Sequence, residues 1–566
     1  MSYPDPPQQP QWQPQQPGQG YPPPQAPGQY SAGFGGGAPG GPSPTGFGGG
    51  TPGGPPPAGP FPGGQHSGGH VPPSGGGRNR GWLIPTAAGA ALLLMGGTVW
   101  ATVSLVSFGG PQPEDVLPGS ALAFGRIDLS IDGSQAMELL QFVEQLPDEV
   151  TAEMDEPDGD MTGLVAEGFV AAFPEAQQSE VEEWIGQRVG FAMWPASGEA
   201  ELGEGAGVAG AFALAVEDER LAQEDLEQLS GDYDDLYFEV VDDFALLTTS
   251  DAALADLHAQ VDEHGPLADA DTFSDDMADV PGGSLAAGWA DLARLMEVEE
   301  FAQEFEADLA AETGELSGRM TASLRVDGEY LEARTDVFDL TVNDTDLAWL
   351  AETPGASVAA MESLPESTVM AVGASGLDTA LADAYESDSI PFMTSSGQMQ
   401  EMERQFNSMG APLPEGFTQL LGSSTALGVT DMNLEGFFGS SYGDGGEASF
   451  QYRAVGGDEQ ILSDFVEGMV VDSYSTPPGV STDGDAVVVS QGSSATGRLG
   501  DDPVFQQTMQ EMDSAVMAGY MDLRQVLTDS EVEAPDQWGA VGVALNVTEE
   551  GQRSSVELRW SPSGGE

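Results

Sequence analysis

The stretch LPGSALAFGRIDLS, Leu117 to Ser130, has an echo downstream in LPESTVMAVGASGLD, Leu364 to Asp378. Setting Gly125 on Gly373 gives an offset of 248. Further echoes follow in the same order. DDFALLTTS from Asp242 matches DGDAVVVS from Asp483 at an offset of 241. TFSDDMADVPGGSLAAGWADLARLM matches VFQQTMQEMDSAVMAGYMDLRQVL, setting Phe273 on Phe505, Gly288 on Gly519 and Asp291-Leu292 on Asp522-Leu523. ASLRVDGEYLEARTDV matches VALNVTEEGQRSSVELRW, setting Leu324 on Leu545, Val326 on Val547, Glu332 on Glu557 and Arg334 on Arg559. The offset drifts from 248 to 221, as small deletions in a second copy would produce. Two tandem homologous modules are expected, residues 112–350 and 356–566.

Each module mixes strand and helix signals. Ala121–Asp128 and Thr368–Ala374 are short apolar runs following Leu-Pro turns, and predict strands. Met137, Leu140 and Val143 recur at helical spacing within residues 134–145. Residues 180–187 predict a helix end, 189–194 and 211–216 strands, and 220–229 a helix. Residues 321–326 and 329–337 predict a hairpin, with Asp327-Gly328 supplying a type I′ turn. The fold class is α+β, with antiparallel sheets and helices packed on one face.

Upstream of the modules the composition changes twice. Of residues 1–80, 44 are Pro or Gly and only Asp5, Arg78 and Arg80 are charged. Such a stretch buries too little apolar surface to offset its ordering entropy, and predicts a disordered Pro/Gly/Gln-rich tail. Residues 81–109 carry no charge and contain WLIPTAAGAALLLMGGTVWATVSLVSF. Leu83 to Val103 would extend about 31 Å as a helix, close to the hydrocarbon thickness of a bilayer. A single transmembrane helix is therefore expected. Arg78 and Arg80 precede it and Glu114 and Asp115 follow, so the positive-inside rule puts the tail in the cytoplasm and the modules outside the plasma membrane.

The charge is lopsided. The 566 residues hold 15 cations, all arginine, against 93 acids, and no cysteine. Disulfides, thiolate sites and lysine chemistry are excluded. Nucleic acid is not an expected partner, because phosphates need cations to neutralise them. Residues 110–566 carry 13 Arg and 92 acids, a net of −79. Self-repulsion on that scale predicts adaptation to a salty or cation-rich exterior.

The opener LPGSALAFGRIDLS, the following SQAMELLQFVEQLPDEV and the later F-x(n)-LP-like strand unit resemble the domain of unknown function 3352 family over most of residues 110–566, and the Pro/Gly-rich tail fits too. Members are actinobacterial membrane-anchored envelope proteins. The family's usual Leu-Pro-Ala-Asp is Leu-Pro-Gly-Ser here. The resemblance implies an envelope protein and supplies no catalytic residues.

Chemical motifs are few. Gly439-Ser-Ser441-Tyr-Gly443 has nucleophile-elbow spacing but runs into DGGE, and all four histidines precede it. Gly205, Gly207 and Gly210 have dinucleotide-loop spacing but lead into a strand. Asp128 to Gly133 imitates a calcium loop without its twelfth-position glutamate. Residues 155–160 form an acidic turn dense enough for weak divalent-cation association. His258 and His264 are six apart, not the four of a zinc helix. Met399, Met402, Phe406 and Met409 share a helical face, as do Met509 and Met512, and read as core. No catalytic, cofactor-binding or metal site is therefore assigned, and no cofactor is expected. The expected function is a membrane-anchored extracytoplasmic binding or scaffold protein engaging an envelope protein or ligand. The alternative is a carboxylate-dependent or metal-assisted hydrolase of an envelope substrate.

Overall fold

The computed structural model describes residues 111–563 apart from 130–134, 152–161, 199, 203–205, 299–315, 343–345, 352, 388–389, 391–395, 432–448, 470–477, 493–496, 529–531, 533 and 549–550. The tail and the 81–109 segment lie outside the described residues. Among those described, no helix is long and apolar enough to cross a membrane.

The strands are β1 (Ala123–Asp128), β2 (Ile185–Pro195), β3 (Val208–Val216), β4 (Tyr237–Val241), β5 (Phe244–Thr248), β6 (Ala286–Asp291), β7 (Leu316–Asp327) and β8 (Tyr330–Val342). They continue as β9 (Met370–Ser375), β10 (Ser424–Asp431), β11 (Ser449–Val455), β12 (Gly479–Asp483), β13 (Ala486–Gln491), β14 (Met517–Asp522), β15 (Ala540–Thr548) and β16 (Arg553–Ser561). All join one antiparallel sheet, in the order β12-β13-β11-β10-β9-β14-β15-β16-β8-β7-β6-β1-β2-β3-β5-β4. The fold is α+β, but with one continuous sheet instead of separate ones. The reason is visible at its middle. β8 and β16 each end a run of eight strands, and each satisfies the other's open backbone edge over Leu331↔Trp560 to Phe338↔Arg553.

Read outward from that junction, the two directions match. One reads 8-7-6-1-2-3-5-4 and the other 16-15-14-9-10-11-13-12, each number larger by eight. The ladders also correct the sequence pairing. Gly288 and Gly519 hold the same strand position, and they pair with Gly125 and Val372. Gly125 therefore corresponds to Val372, not Gly373; a slip of one residue would have reversed the faces. Likewise Phe244 corresponds to Ala486, because each follows a two-residue turn. Leu324 and Leu545 do correspond, but they pair with Ala333 and Val556. Arg334 thus corresponds to Glu557, and Arg334↔Glu557 is the pair at the centre.

Alternation along the strands builds two cores. Phe191, Phe212, Leu214 and Leu247 face one side, with Val165 and Phe169 of helix Thr162–Ala172 and Leu226 of helix Glu219–Asp232. Ala192, Ala211, Ala213 and Leu246 face the other, with Ala253 and Leu257 of helix Asp251–His264. Helices therefore cover both faces, not one, because β2, β3 and β5 are apolar on both. Three buried tryptophans there donate their indole N–H to carboxylates: Trp184 to Asp225 (2.8 Å), Trp194 to Asp256 (2.9 Å) and Trp289 to Asp276 (2.8 Å). Tyr520 takes the position of Trp289, stacked edge-on against Phe505 at 5.0 Å as Trp289 is against Phe273 at 5.6 Å.

Local details depart from expectation at two points. Residues 185–187 belong to β2, so the preceding helix ends at Val181. The β7–β8 turn is Gly328-Glu329, and only Gly328 has a positive φ (+48°), so it is not type I′. Two consecutive positive φ angles occur instead at Asp242 (+49°) and Asp243 (+64°), between β4 and β5.

Candidate functional site

The junction presents two contrasting faces. Every second residue of β8 is charged on one of them: Glu332, Arg334 and Asp336. Antiparallel β16 sets Arg559, Glu557 and Ser555 opposite these three. Arg325 on β7 binds Glu332 through two hydrogen bonds of 2.7 and 3.0 Å. Arg559 reaches Glu332 (3.3 Å) and Glu557 (2.5 Å), donates to the Gln510 carbonyl and lies 4.3 Å from the Tyr330 ring centre. Arg334 grips Asp336 at 2.8 and 2.9 Å, and Arg553 joins Asp336 to Asp279. Arg319 holds Asp276, the acceptor of the Trp289 indole.

Glu332 is 2% exposed, Asp336 2% and Arg559 3%. Burial alone would raise the Glu332 carboxyl, but Arg325, a hydrogen bond from Glu557 and the charge of Arg559 together hold it below its ordinary value. Glu557 goes the other way: burial first, then the Glu332 charge, push it up. The two carboxyls are thus shifted in opposite directions inside one arginine cage. Burial pushes the Tyr330 hydroxyl up to about 12. Chemically this cluster resembles a paired-acid centre, but its two most buried carboxylates, Glu332 and Asp336, are occupied by guanidinium groups and closed from solvent. Its evident work is to fix the register of β8 on β16.

The opposite face is apolar and open. One row of side chains crosses six strands: Leu427, Val372, Gly519, Val543, Leu558 and Ala333, each paired with the next. Val372 is 49% exposed, Leu427 43% and Leu558 39%. Val556, two residues from Leu558 on β16, is 43% exposed. Helical cover stands on either side. Leu139 and Phe142 of helix Gln135–Val143 cluster with Leu331 and Trp560; Leu350 of helix Ala348–Ala351 clusters with Val516 and Val547. In the first eight strands the same row runs Phe191, Gly125, Gly288, Ala322, Thr335. There Phe191 is 7% and Ala322 5% exposed. Helix Thr162–Ala172 packs on β2 at that end.

The motifs weighed from the sequence scatter. Gly439–Gly443 and residues 155–160 lie outside the described residues, as do residues 130–134 of the calcium-like loop. Asp128 is bound to Arg188 at 2.9 Å. Gly207 has φ +66° and Gly210 lies within β3. His258 and His264 are on one helix, and His258 contacts Glu239 on β4 at 2.6 Å. No group of three His, Cys, Asp or Glu able to hold a metal occurs among the described residues. Met509 and Met512 are core residues. Phe406 stacks against Phe417 at 5.3 Å, with Met399, Met402 and Met409 half-buried. A cavity of about 150 Å³ lies between Ala359, Ser363, Ala426 and Arg453. Small-molecule sites hold roughly 300–1,000 Å³. Sequence reasoning missed both the caged acids and the open row. The alternating charges of 332–336 and 553–559 were a usable signal for the first; exposure of the second has no signature in the sequence.

No protein-family model matches this chain, nor does any curated protein or solved structure.

Proposed function

We propose that this is a single-pass, membrane-anchored extracytoplasmic binding or scaffold protein of the cell envelope, built from two homologous modules and performing no catalysis. The duplication is supported by the matching strand orders and by Leu117 and Leu364, both fully buried openers. The anchor and the sidedness rest on residues 78–115, and kinship with the domain of unknown function 3352 family rests on the sequence resemblance alone. The binding role is carried by one observation: an uncharged, exposed apolar row on a surface otherwise rich in acids. Exposed apolar patches of this kind mark interaction sites. The hydrolase alternative would use the Glu332–Glu557 pair, but a substrate would have to displace Arg325 and Arg559 to reach it. Crosslinking in intact cells tests the reading. A discrete adduct on the full chain, retained when residues 1–80 are deleted, is expected. Its absence, or protease from outside clipping the first eighty residues while sparing the rest, would overturn it.

A further inference from the structure

We infer that the open row is the seat of one cationic amphipathic helix from a partner protein. The inference rests on the binding role proposed above and names its partner class. Dimensions come first. From Leu427 to Ala333 the row crosses five strand intervals, about 24 Å. That is the length of about 16 helical residues. Along β15, the clustered residues Val541 and Val547 bracket the gap. Six residue steps of strand separate them, about 20 Å, which admits one helix of about 10 Å diameter.

The molecule itself shows what kind of element covers such a row. In the first eight strands, helix Thr162–Ala172 packs on β2, where Phe191 stands in the place of Leu427. In the second eight, the corresponding side chains are the large apolar Leu427 and Val372, and they are exposed.

Charge selects the partner's sign. Residues 110–566 carry a net of −79. Eleven of the thirteen arginines there are spent on carboxylates of the same chain: 126, 188, 220, 319, 325, 334, 404, 453, 524, 553 and 559. Most acids of this segment therefore have no arginine to neutralise them, and the segment as a whole carries a negative field. A helix with leucines on one side and lysines or arginines on the other satisfies both the floor and the field. A second copy of this chain would bring the same repulsive charge.

The test uses the full chain in zwitterionic nanodiscs, with empty discs as blank. The probe is a fluorescent Leu/Lys peptide of about 18 residues with its leucines at i, i+3, i+4 and i+7. Comparison peptides replace Lys by Glu, or scramble the order so that no apolar face forms. Saturable binding of the first peptide is expected. It should weaken about tenfold or more in Val372→Ser/Leu558→Ser, since two apolar contacts are lost. It should be unchanged in Val455→Ser, an exposed valine on the other face of β11. Thermal melts of both variants confirm folding. Equal affinity for the scrambled peptide, or for the double variant, would overturn the proposal by reducing it to general attraction. So would a dimer in sedimentation that only the double variant loses, which would make a second copy the occupant. If the cellular crosslink survives in the double variant, the binding role stands and only this seat is wrong.

Discussion

The two halves of the sheet share one strand order and protect it by different means. In the first, helix Asp251–His264 lies over β3 and β5, above Ala211, Ala213 and Leu246. In the second, Gln451 and Arg453 stand where Ala211 and Ala213 stand, read through the ladders. There Arg453 on β11 meets Asp483 on β12 at 2.8 Å, crossing β13 between them. An ion pair with an aliphatic stem thus roofs strands that a helix roofs in the first half. The difference teaches that strand order is what the two halves share, while the covering layer differs between them and is left open in one.

Four experiments would break or sharpen that contrast. The greatest loss is expected where both halves depend on one group. Glu332→Ala leaves Arg325 and Arg559 without their buried carboxylate, and should cost about 3–5 kcal/mol in denaturant unfolding. A loss under 1 kcal/mol would mean that backbone pairing alone joins the halves. Next comes a device peculiar to the first half. Asp256→Ala orphans the buried Trp194 indole and should cost about 1–3 kcal/mol, with Trp194→Phe in the same background recovering part of it.

The third is a pH dependence centred on the junction. Glu557 keeps its proton in the folded state above the ordinary glutamate value, so the folded state binds more protons than the unfolded one there. Stability from this group should fall as pH rises from about 4.5 toward its raised value. Glu332 acts oppositely: its contribution is lost as pH falls below the ordinary value. Urea midpoints across this range should show the falling limb in wild type and not in Glu557→Gln. An identical slope in the variant would place the proton elsewhere. The smallest effect belongs to the exposed roof of the second half. Asp483, 72% exposed, loses little when truncated: Asp483→Ala should change stability by less than about 1 kcal/mol. A larger change would make the roof a true substitute for the helix.

Much of this was legible in the residues. The Leu-Pro openers lead into strands: Leu117 and Leu364 are buried, with β1 and β9 beginning six residues after each. Asp291 and Asp522 do the same work at the next landmark, each capping a short helix through the backbone N–H of Arg294 or Arg524. Register was harder. Identical glycines set Gly125 on Gly373, although its position in the ladder corresponds to that of Val372. Letters record similarity, whereas a ladder records which face a side chain occupies. The join of β8 to β16 was hidden for another reason: Asp336 and Arg553 are 217 residues apart in the chain. Local periodicity describes a strand but not its partner. The open row is less legible still, since Leu427 and Val372 have the pattern of core.

That long separation has a consequence for biogenesis. β8 emerges from synthesis well before β16, so the first eight strands can assemble while their last edge is bare. Glu332, Arg334 and Asp336 then stud that edge with alternating charge, which discourages adventitious pairing with another nascent chain. A strand that answers those three charges, as β16 does with Arg559, Glu557 and Arg553, closes it at low electrostatic cost.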